Sequence, residues 1–286
     1  MTTLGVDIGG TKMLLVVEYQ GEKISKIVPT GKMYTDYEIL REINEFVNSL
    51  PFTINSIGVA VPGLVEQNQK IVISDVLPNI AGMDTNFLNI NNIPVYMIND
   101  VEAALIQETA LNEKVDTVVI MIGTGIAAGI NQGGQFVKGC KGWAGELGSI
   151  PISTSDGIKK LDELASGASI IAKANTDAET LHRNLEQGDA IAHEVVQTAG
   201  GYLGLAIATV INLLNPQRII LGGRTIQYEG YFEFAVKVAK ENTLPELWDV
   251  CTIRKSEDAK YMVAQGAMNF VVAQEKLKLL NNRARL

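Results

Sequence analysis

Two short glycine-containing segments carry the residue types that phosphate chemistry asks for. The first is Asp7-Ile8-Gly9-Gly10-Thr11-Lys12, set between two apolar runs. Its glycines let a ligand approach the backbone and let successive N–H groups point outward, while Thr11 and Lys12 add a hydroxyl and a cation. Asp7, at a strand end, is a hard oxygen donor suited to hydrated Mg²⁺. A plain hairpin also uses Gly-Gly, so the turn alone leaves both readings open. Gly123-Thr124-Gly125 repeats the chemistry and could hold the other side of a polyphosphate. It also opens Gly123-x-Gly125-x-x-Ala128, which satisfies the dinucleotide fingerprint, with Glu146 at about the right distance for a ribose contact. That fingerprint needs a helix directly after the turn, and Gly129, Gly133 and Gly134 disfavour one. No GxxxxGK[ST] phosphate loop is present.

Asn99-Asp100 ends the apolar run Val95 to Ile98 and opens a helical pattern over Val101 to Leu111. Asp100 is either the cap of that helix or a carboxylate held at a strand end, where it could take a proton. Glu146 lies in the glycine-rich stretch Gly139 to Gly148, where a lone carboxylate is ordinarily a solvated loop charge. Gly222-Gly223 follows another strand and reads as an ordinary turn or as a place of close approach. His182 and His193 are eleven residues apart, about 16 Å along a continuous helix. They are too far apart to share an ion, and Gln187-Gly188-Asp189 breaks that helix.

The elements that must position these groups occur twice. Leu4 to Ile8, Met13 to Tyr19 and Lys23 to Val28 read as a meander, followed by an amphipathic helix over Tyr37 to Leu50 and strands at Ser56 to Val61 and Val95 to Ile98. Thr117 to Ile122, Ile126 to Ile130 and Gln135 to Val137 repeat the meander about 115 residues later. Helices are expected at 159–175, 189–214 and 229–242, and strands at Arg218 to Leu221 and Val250 to Ile253. A duplicated unit implies two lobes, 1–115 and 116–257, with the last helix, about 258–286, packing back on the first.

The chain has 286 residues, enough for two such lobes. Its 24 Lys and Arg against 32 Asp and Glu give a net charge of −8, so no general pull on nucleic acid is expected. Cys140 and Cys251 cannot make a disulfide framework, and no signal-peptide pattern precedes the first strand, so a reduced, cytoplasmic setting is expected. Leu203 to Leu214 is strongly apolar. Gln197, Thr198, Asn212 and Asn215 interrupt its surroundings and Asn215-Pro216 ends it, so it reads as a buried helix rather than a membrane span. Gly200, Gly201 and Gly204 suggest that another backbone approaches it closely.

Two glycine turns heading duplicated meanders, one of them DIGGTK, resemble the actin-like ATPase and sugar kinase fold, and specifically the ROK family of sugar kinases and sugar-responsive repressors. The resemblance extends to Gly58 to Gly63 (GVAVPG), Leu77 to Ile80 (LPNI), Asn99-Asp100, Gly145 to Gly148 (GELG), Leu164 to Gly167 (LASG), Leu221 to Gly223 and the closing Asp258-Ala259 with Gln265-Gly266-Ala267. It implies an α/β fold of two actin-like, ribonuclease H-like lobes with a central cleft. It further implies ATP and Mg²⁺, with phosphorylation of a hexose or N-acetylhexosamine at O6 and Asp100 as general base. Gly63, Asn79, Asn99, Asp100, Glu146, Ser149 and Asp162 would line the sugar site. Asp7, Gly9, Gly10, Thr11, Lys12, Gly123, Thr124 and Gly125 would serve Mg²⁺ and phosphates, and Gly222 and Gly223 the adenine. A homodimer is a leaning from the family alone, and no nucleic acid or membrane partner is expected. The alternative is a sugar-sensing regulator without turnover, although family repressors carry a winged helix ahead of the kinase-like part.

The sequence departs from the family pattern at Ser149, where most members place a histidine that touches sugar and zinc. Pro151 to Leu161 has neither Cys nor His, so a tetrahedral zinc site is expected to be absent. Asp162 aligns with the family's second sugar-binding Glu, one methylene shorter, and the adjacent Glu163 could substitute.

Overall fold

Apolar runs separated by glycine or polar turns fold as meanders because each strand needs a partner for its backbone groups and a core for its apolar face. The computed structural model describes residues 2–109 and 114–283. Its first meander is β1 (Thr3–Ile8), β2 (Lys12–Tyr19) and β3 (Glu22–Pro29). Then come α1 (Asp36–Ser49), β4 (Ser56–Val61), the hairpin β5 (Leu64–Glu66) and β6 (Lys70–Ile73), β7 (Val95–Asn99) and α2 (Asp100–Glu108). The sheet order is β3-β2-β1-β4-β7, with β2 antiparallel to its neighbours and β4 and β7 added in parallel. All six residues of β4 are buried, as a parallel strand covered on both faces requires.

The second meander is β8 (Thr117–Ile122), β9 (Ile126–Gln132) and β10 (Gln135–Phe136). A hairpin of β11 (Pro151–Thr154) and β12 (Gly157–Lys160) follows, then α3 (Leu161–Ala165), α4 (Gly167–Ala174), α5 (Ala178–Glu186) and α6 (Ala190–Leu214). The chain continues through β13 (Arg218–Gly222), α7 (Tyr231–Glu241), α8 (Pro245–Trp248), β14 (Thr252–Lys255) and α9 (Met262–Arg283). The order β10-β9-β8-β13-β14 repeats the first sheet's permutation and its parallel and antiparallel senses. Two compact units result, Met1–Leu111 with Lys260–Leu286, and Asn112–Ala259.

Several boundaries differ from the sequence expectations for identifiable reasons. The single helix expected over 159–175 is three pieces. Lys159 and Lys160 pair with Ile152 and Pro151 in the hairpin, and Ser166 ends α3 and caps α4 by accepting from Ser169 N–H. Helix α1 begins at Asp36 because Thr35 and Glu38 form a reciprocal capping box. Helix α2 takes in Asp100, while Ala110 and Leu111 at its expected end lie outside the described residues, as do 284–286 at the end of the last helix.

Helix α6 is the one helix among the described residues long and apolar enough to cross a membrane. Its Ala199, Leu203, Ile207 and Ile211 are buried in the second unit's core. A Cβ on Gly200 would stand 2.7 Å from the Tyr231 carbonyl and one on Gly204 2.5 Å from that of Ala235, so α7 lies on α6 as closely as the glycines anticipate. Glycines also seat α9 in the first unit. A Cβ on Gly5 would lie 2.2 Å from the Ala264 carbonyl, one on Gly58 2.4 Å from that of Ala267, and one on Gly266 1.8 Å from that of Ala103. These are backbone contacts that side-chain motion cannot relieve. Gly58→Ala and Gly266→Ala should each lower unfolding free energy by about 1–3 kcal/mol or more in urea titrations. Gly31→Ala, which meets nothing within 4 Å, should stay within about 0.5 kcal/mol of the parent.

Candidate active site

The first glycine turn joins β1 to β2 after the pair Ile8↔Met13. Gly9 N–H closes it on the Lys12 carbonyl at 2.9 Å. Thr30, just past β3, holds it from the side: its hydroxyl donates to the Gly9 carbonyl at 2.6 Å and its N–H to the Thr11 carbonyl at 3.0 Å. The N–H groups of Gly10 and Thr11 donate to no acceptor among the described residues. A Cβ on Gly10 would fall 2.5 Å from Val76 Cγ1, so the turn is packed from behind as well. Burial pushes the Asp7 carboxyl up to about 6, with Lys12 pulling the other way. A partly buried carboxylate whose charge is only partly offset suits a hydrated divalent cation.

The same unit carries Asn99 and Asp100. Asn99, not Asp100, caps α2: its Oδ1 accepts from Val101 N–H at 2.9 Å and Glu102 N–H at 3.1 Å, and its Nδ2 donates to the Gly63 carbonyl at 2.9 Å. Most of the Asn99 amide is therefore engaged with the chain, which leaves little of it for a ligand. Asp100 occupies the first helical position, half-buried, with Oδ1 accepting from Val101 N–H at 2.9 Å. Gly63 has φ +120°, and a Cβ there would meet the Ile73 carbonyl at 2.2 Å, so the segment is pinned at both ends. Asn79 is exposed and donates to the Met33 carbonyl at 3.0 Å.

In the second unit Gly123 N–H closes its turn on the Gly125 carbonyl at 2.9 Å. The Gly123 carbonyl accepts from Gly167 N–H at 2.8 Å and from the Thr225 hydroxyl at 3.3 Å, and Asp162 Oδ1 accepts from Ile126 N–H at 2.7 Å. Thr124 and Gly125 are exposed, and their N–H groups have no acceptor among the described residues. Buried Gly222 ends β13, and Gly223, at φ +94°, lies where a Cβ would be 2.3 Å from the Ile122 carbonyl. Gly222-Gly223 thus sits directly beside the turn. Glu146 is exposed at the start of a short 3-10 turn, Leu147–Ser149, whose Ser149 N–H donates to the Glu146 carbonyl at 3.1 Å. Gly145 (φ +98°) anchors that loop on β9, since a Cβ would meet the Ala128 carbonyl at 1.8 Å.

Within each unit the structure therefore gathers the residues the sequence singled out: Asp7 to Lys12 at one turn, Gly63, Asn99 and Asp100 at the α2 start, and Gly123 to Gly125, Glu146, Asp162 and Gly222-Gly223 around β9. Thr30, Thr225 and Gly167 were missed as turn supports, because their roles arise from contacts 21, 102 and 44 residues away. Glu163 is exposed, and one oxygen of its carboxylate accepts from Lys160 N–H at 2.7 Å. His182 pairs with Glu186 at 3.3 Å and His193 lies 3.2 Å from the Leu185 carbonyl. Among the described residues no group of three or more His, Cys, Asp or Glu could hold a metal ion.

The sequence matches the ROK family over residues 3–274. The chain belongs to that family. It is 26% identical over 251 residues to an N-acetylmannosamine kinase of Escherichia coli, covering 81% of this chain and 86% of the relative. A ROK family glucokinase from Streptomyces griseus, solved with glucose and AMPPNP, superposes with TM-score 0.80 at 20% identity over 94% of this chain and 99% of that one. A ROK family transcriptional regulator, a homologue of the Escherichia coli MLC protein, superposes with TM-score 0.76 at 24% identity over 94% of this chain and 77% of that one. The mixed α/β architecture is accordingly the actin-like, ribonuclease H-like ROK fold.

The raised Asp7 pKa has a signed consequence. The folded state prefers the protonated carboxyl, so the contribution is fully favourable below about pH 4 and is lost as pH rises through about 6. Asp7→Asn should match the parent's stability near pH 4 and exceed it by about 2–3 kcal/mol above pH 6.5 in urea unfolding. Equal stability of the two proteins at pH 7 would contradict the burial of this carboxylate.

Proposed function

We propose that this ROK protein is an ATP-dependent sugar kinase that transfers the terminal phosphoryl group to O6 of a hexose or N-acetylhexosamine. The supporting observation is the division of labour at the α2 start. Asn99 at the strand end supplies the cap, and Asp100 follows at the first helical position, half-buried, with Oδ1 sharing the Val101 N–H. A carboxylate so placed can accept the hydroxyl proton as the oxygen attacks phosphorus, a role worth typically about 10²- to 10⁴-fold in rate. The rest of phosphoryl transfer is positioning and charge neutralisation. The outward N–H groups of Gly10, Thr11, Thr124 and Gly125, with Lys12, would take phosphates, and Gly222-Gly223 would lie against the adenine. Asp7 would hold Mg²⁺ through water, and the ion would supply charge neutralisation at the phosphates. Glu146, Gly63, Asn79 and Ser149 would contact the sugar, with Asn99 contributing its remaining amide hydrogen.

A regulator without turnover is the second reading, favoured by Ser149 at the place where the ROK resemblance puts a histidine and by the likeness to a ROK transcriptional regulator. A coupled ADP-release assay with glucose, mannose, fructose, allose, N-acetylglucosamine and N-acetylmannosamine separates the two. Turnover with at least one sugar is expected. Asp100→Asn should reduce kcat by about 10²-fold or more while sugar affinity stays within a few-fold. Full activity in that variant would remove Asp100 as the base, and silence of the parent across the panel would favour the regulator.

A further inference from the structure

Asp162 stands half-buried in the first turn of α3 and turns one carboxylate oxygen toward the start of β9. Oδ1 accepts from N–H of Ile126, the residue that follows the Gly123-Thr124-Gly125 turn, at 2.7 Å. The same oxygen would lie 2.2 Å from a Cβ on Gly148, and both oxygens would lie 3.6 Å from one on Gly125. Gly148 comes two residues after Glu146, so a single carboxylate touches both the phosphate turn and the sugar loop. The backbone of α3 extends this bracket. The Asp162 carbonyl accepts from the Ser166 hydroxyl at 2.7 Å, and the next residue, Gly167, donates its N–H to the Gly123 carbonyl at 2.8 Å. Burial raises the Asp162 pKa against the opposing pull of the Ile126 bond, as expected for a group enclosed by its own chain.

We infer that Asp162 is a positioning residue that fixes the Gly123-Thr124-Gly125 turn against the Glu146 loop, and is not a ligand of the sugar. The inference rests on the kinase reading above for its functional meaning. Side-chain length is what selects Asp here. The carboxylate fills the space a Cβ on Gly148 would occupy and reaches Ile126 N–H from α3, whereas one more methylene would drive it into Gly148 or lift it off the amide.

Four full-length proteins decide it: the parent, Asp162→Asn, Asp162→Ala and Asp162→Glu. For each, KM for sugar, KM for ATP and kcat are measured, with ADP affinity by calorimetry and folding by thermal melting. Asp162→Asn keeps an oxygen that can accept from Ile126 N–H, and both KM values should stay within about threefold of the parent. Asp162→Ala should lose about tenfold or more in ADP affinity and in kcat together. Asp162→Glu should be worse than Asp162→Asn. A sugar KM raised tenfold or more in Asp162→Asn with ADP affinity unchanged would overturn the inference, as would an Asp162→Glu protein equal to or better than the parent. If Asp162→Ala fails to fold, the Asn and Glu variants still decide. If the parent phosphorylates no sugar, the kinase reading fails by itself. Hydrogen exchange at Ile126 N–H, slow in the parent and Asp162→Asn and fast in Asp162→Glu, then tests the bracket together with ADP affinity, and equal rates in all forms would end it.

Discussion

A peptide whose carbonyl is already bonded has lost its freedom to rotate, and the N–H in the same plane points wherever that bond sends it. Both glycine turns depend on this constraint. The Gly9 carbonyl shares its plane with Gly10 N–H, and the Thr30 hydroxyl fixes it. The Gly123 carbonyl shares its plane with Thr124 N–H, and Gly167 N–H with the Thr225 hydroxyl fixes that one. The Gly10 and Thr124 amides are thus oriented from behind by the chain itself, the preorganisation that electrostatic stabilisation would need in the reaction proposed. Glycine makes the turns possible, but it contributes no rigidity of its own. Rigidity comes from the supporting hydrogen bonds, and those come from distant segments.

That division explains which parts of the protein could be read in its residues. Apolar runs bounded by glycine turns and helices with capping signals are local, so both meanders, α1 and α6 emerged with boundaries off by one or two residues. The repeat was visible because each copy heads its meander with glycine. The hairpin over Pro151 to Lys160 was missed although Asp156-Gly157 marks its turn, with Gly157 at φ +106°. Its strands are only four residues each, too short for alternation to stand out. Candidate ligand-binding residues were readable by type, whereas their supports were not. Nothing near Thr30 in sequence announces a partner at Gly9, and Asp162 gives no sign in its neighbours that its carboxylate is taken up by Ile126. The exchange of roles at Asn99-Asp100 is a finer case. Either residue can cap a helix, and only the backbone position of the first turn assigns the cap to Asn99.

Duplication supplies a glycine turn to each unit, but the chemistry proposed for this chain is not symmetric, and the strand ends show how that asymmetry is built. The fifth strand of the first sheet, β7, runs out at Asn99 and passes directly into a helix, so the next side chain is a carboxylate at a helix N-terminus. Its counterpart β14 runs out at Lys255, whose ammonium lies 3.6 Å from Glu233 and over the Phe232 ring, and Ser256 N–H turns back to the Leu221 carbonyl. No helix starts there with an acidic residue at its head. The second unit instead places Glu146 between β10 and β11 and Asp162 in α3, beyond its meander, where the first unit has only the short link from β3 to α1. One copy of the fold thus sets a carboxylate, the proposed base, at a strand end, and the other sets the Glu146 loop, the proposed sugar contact, beside its glycine turn.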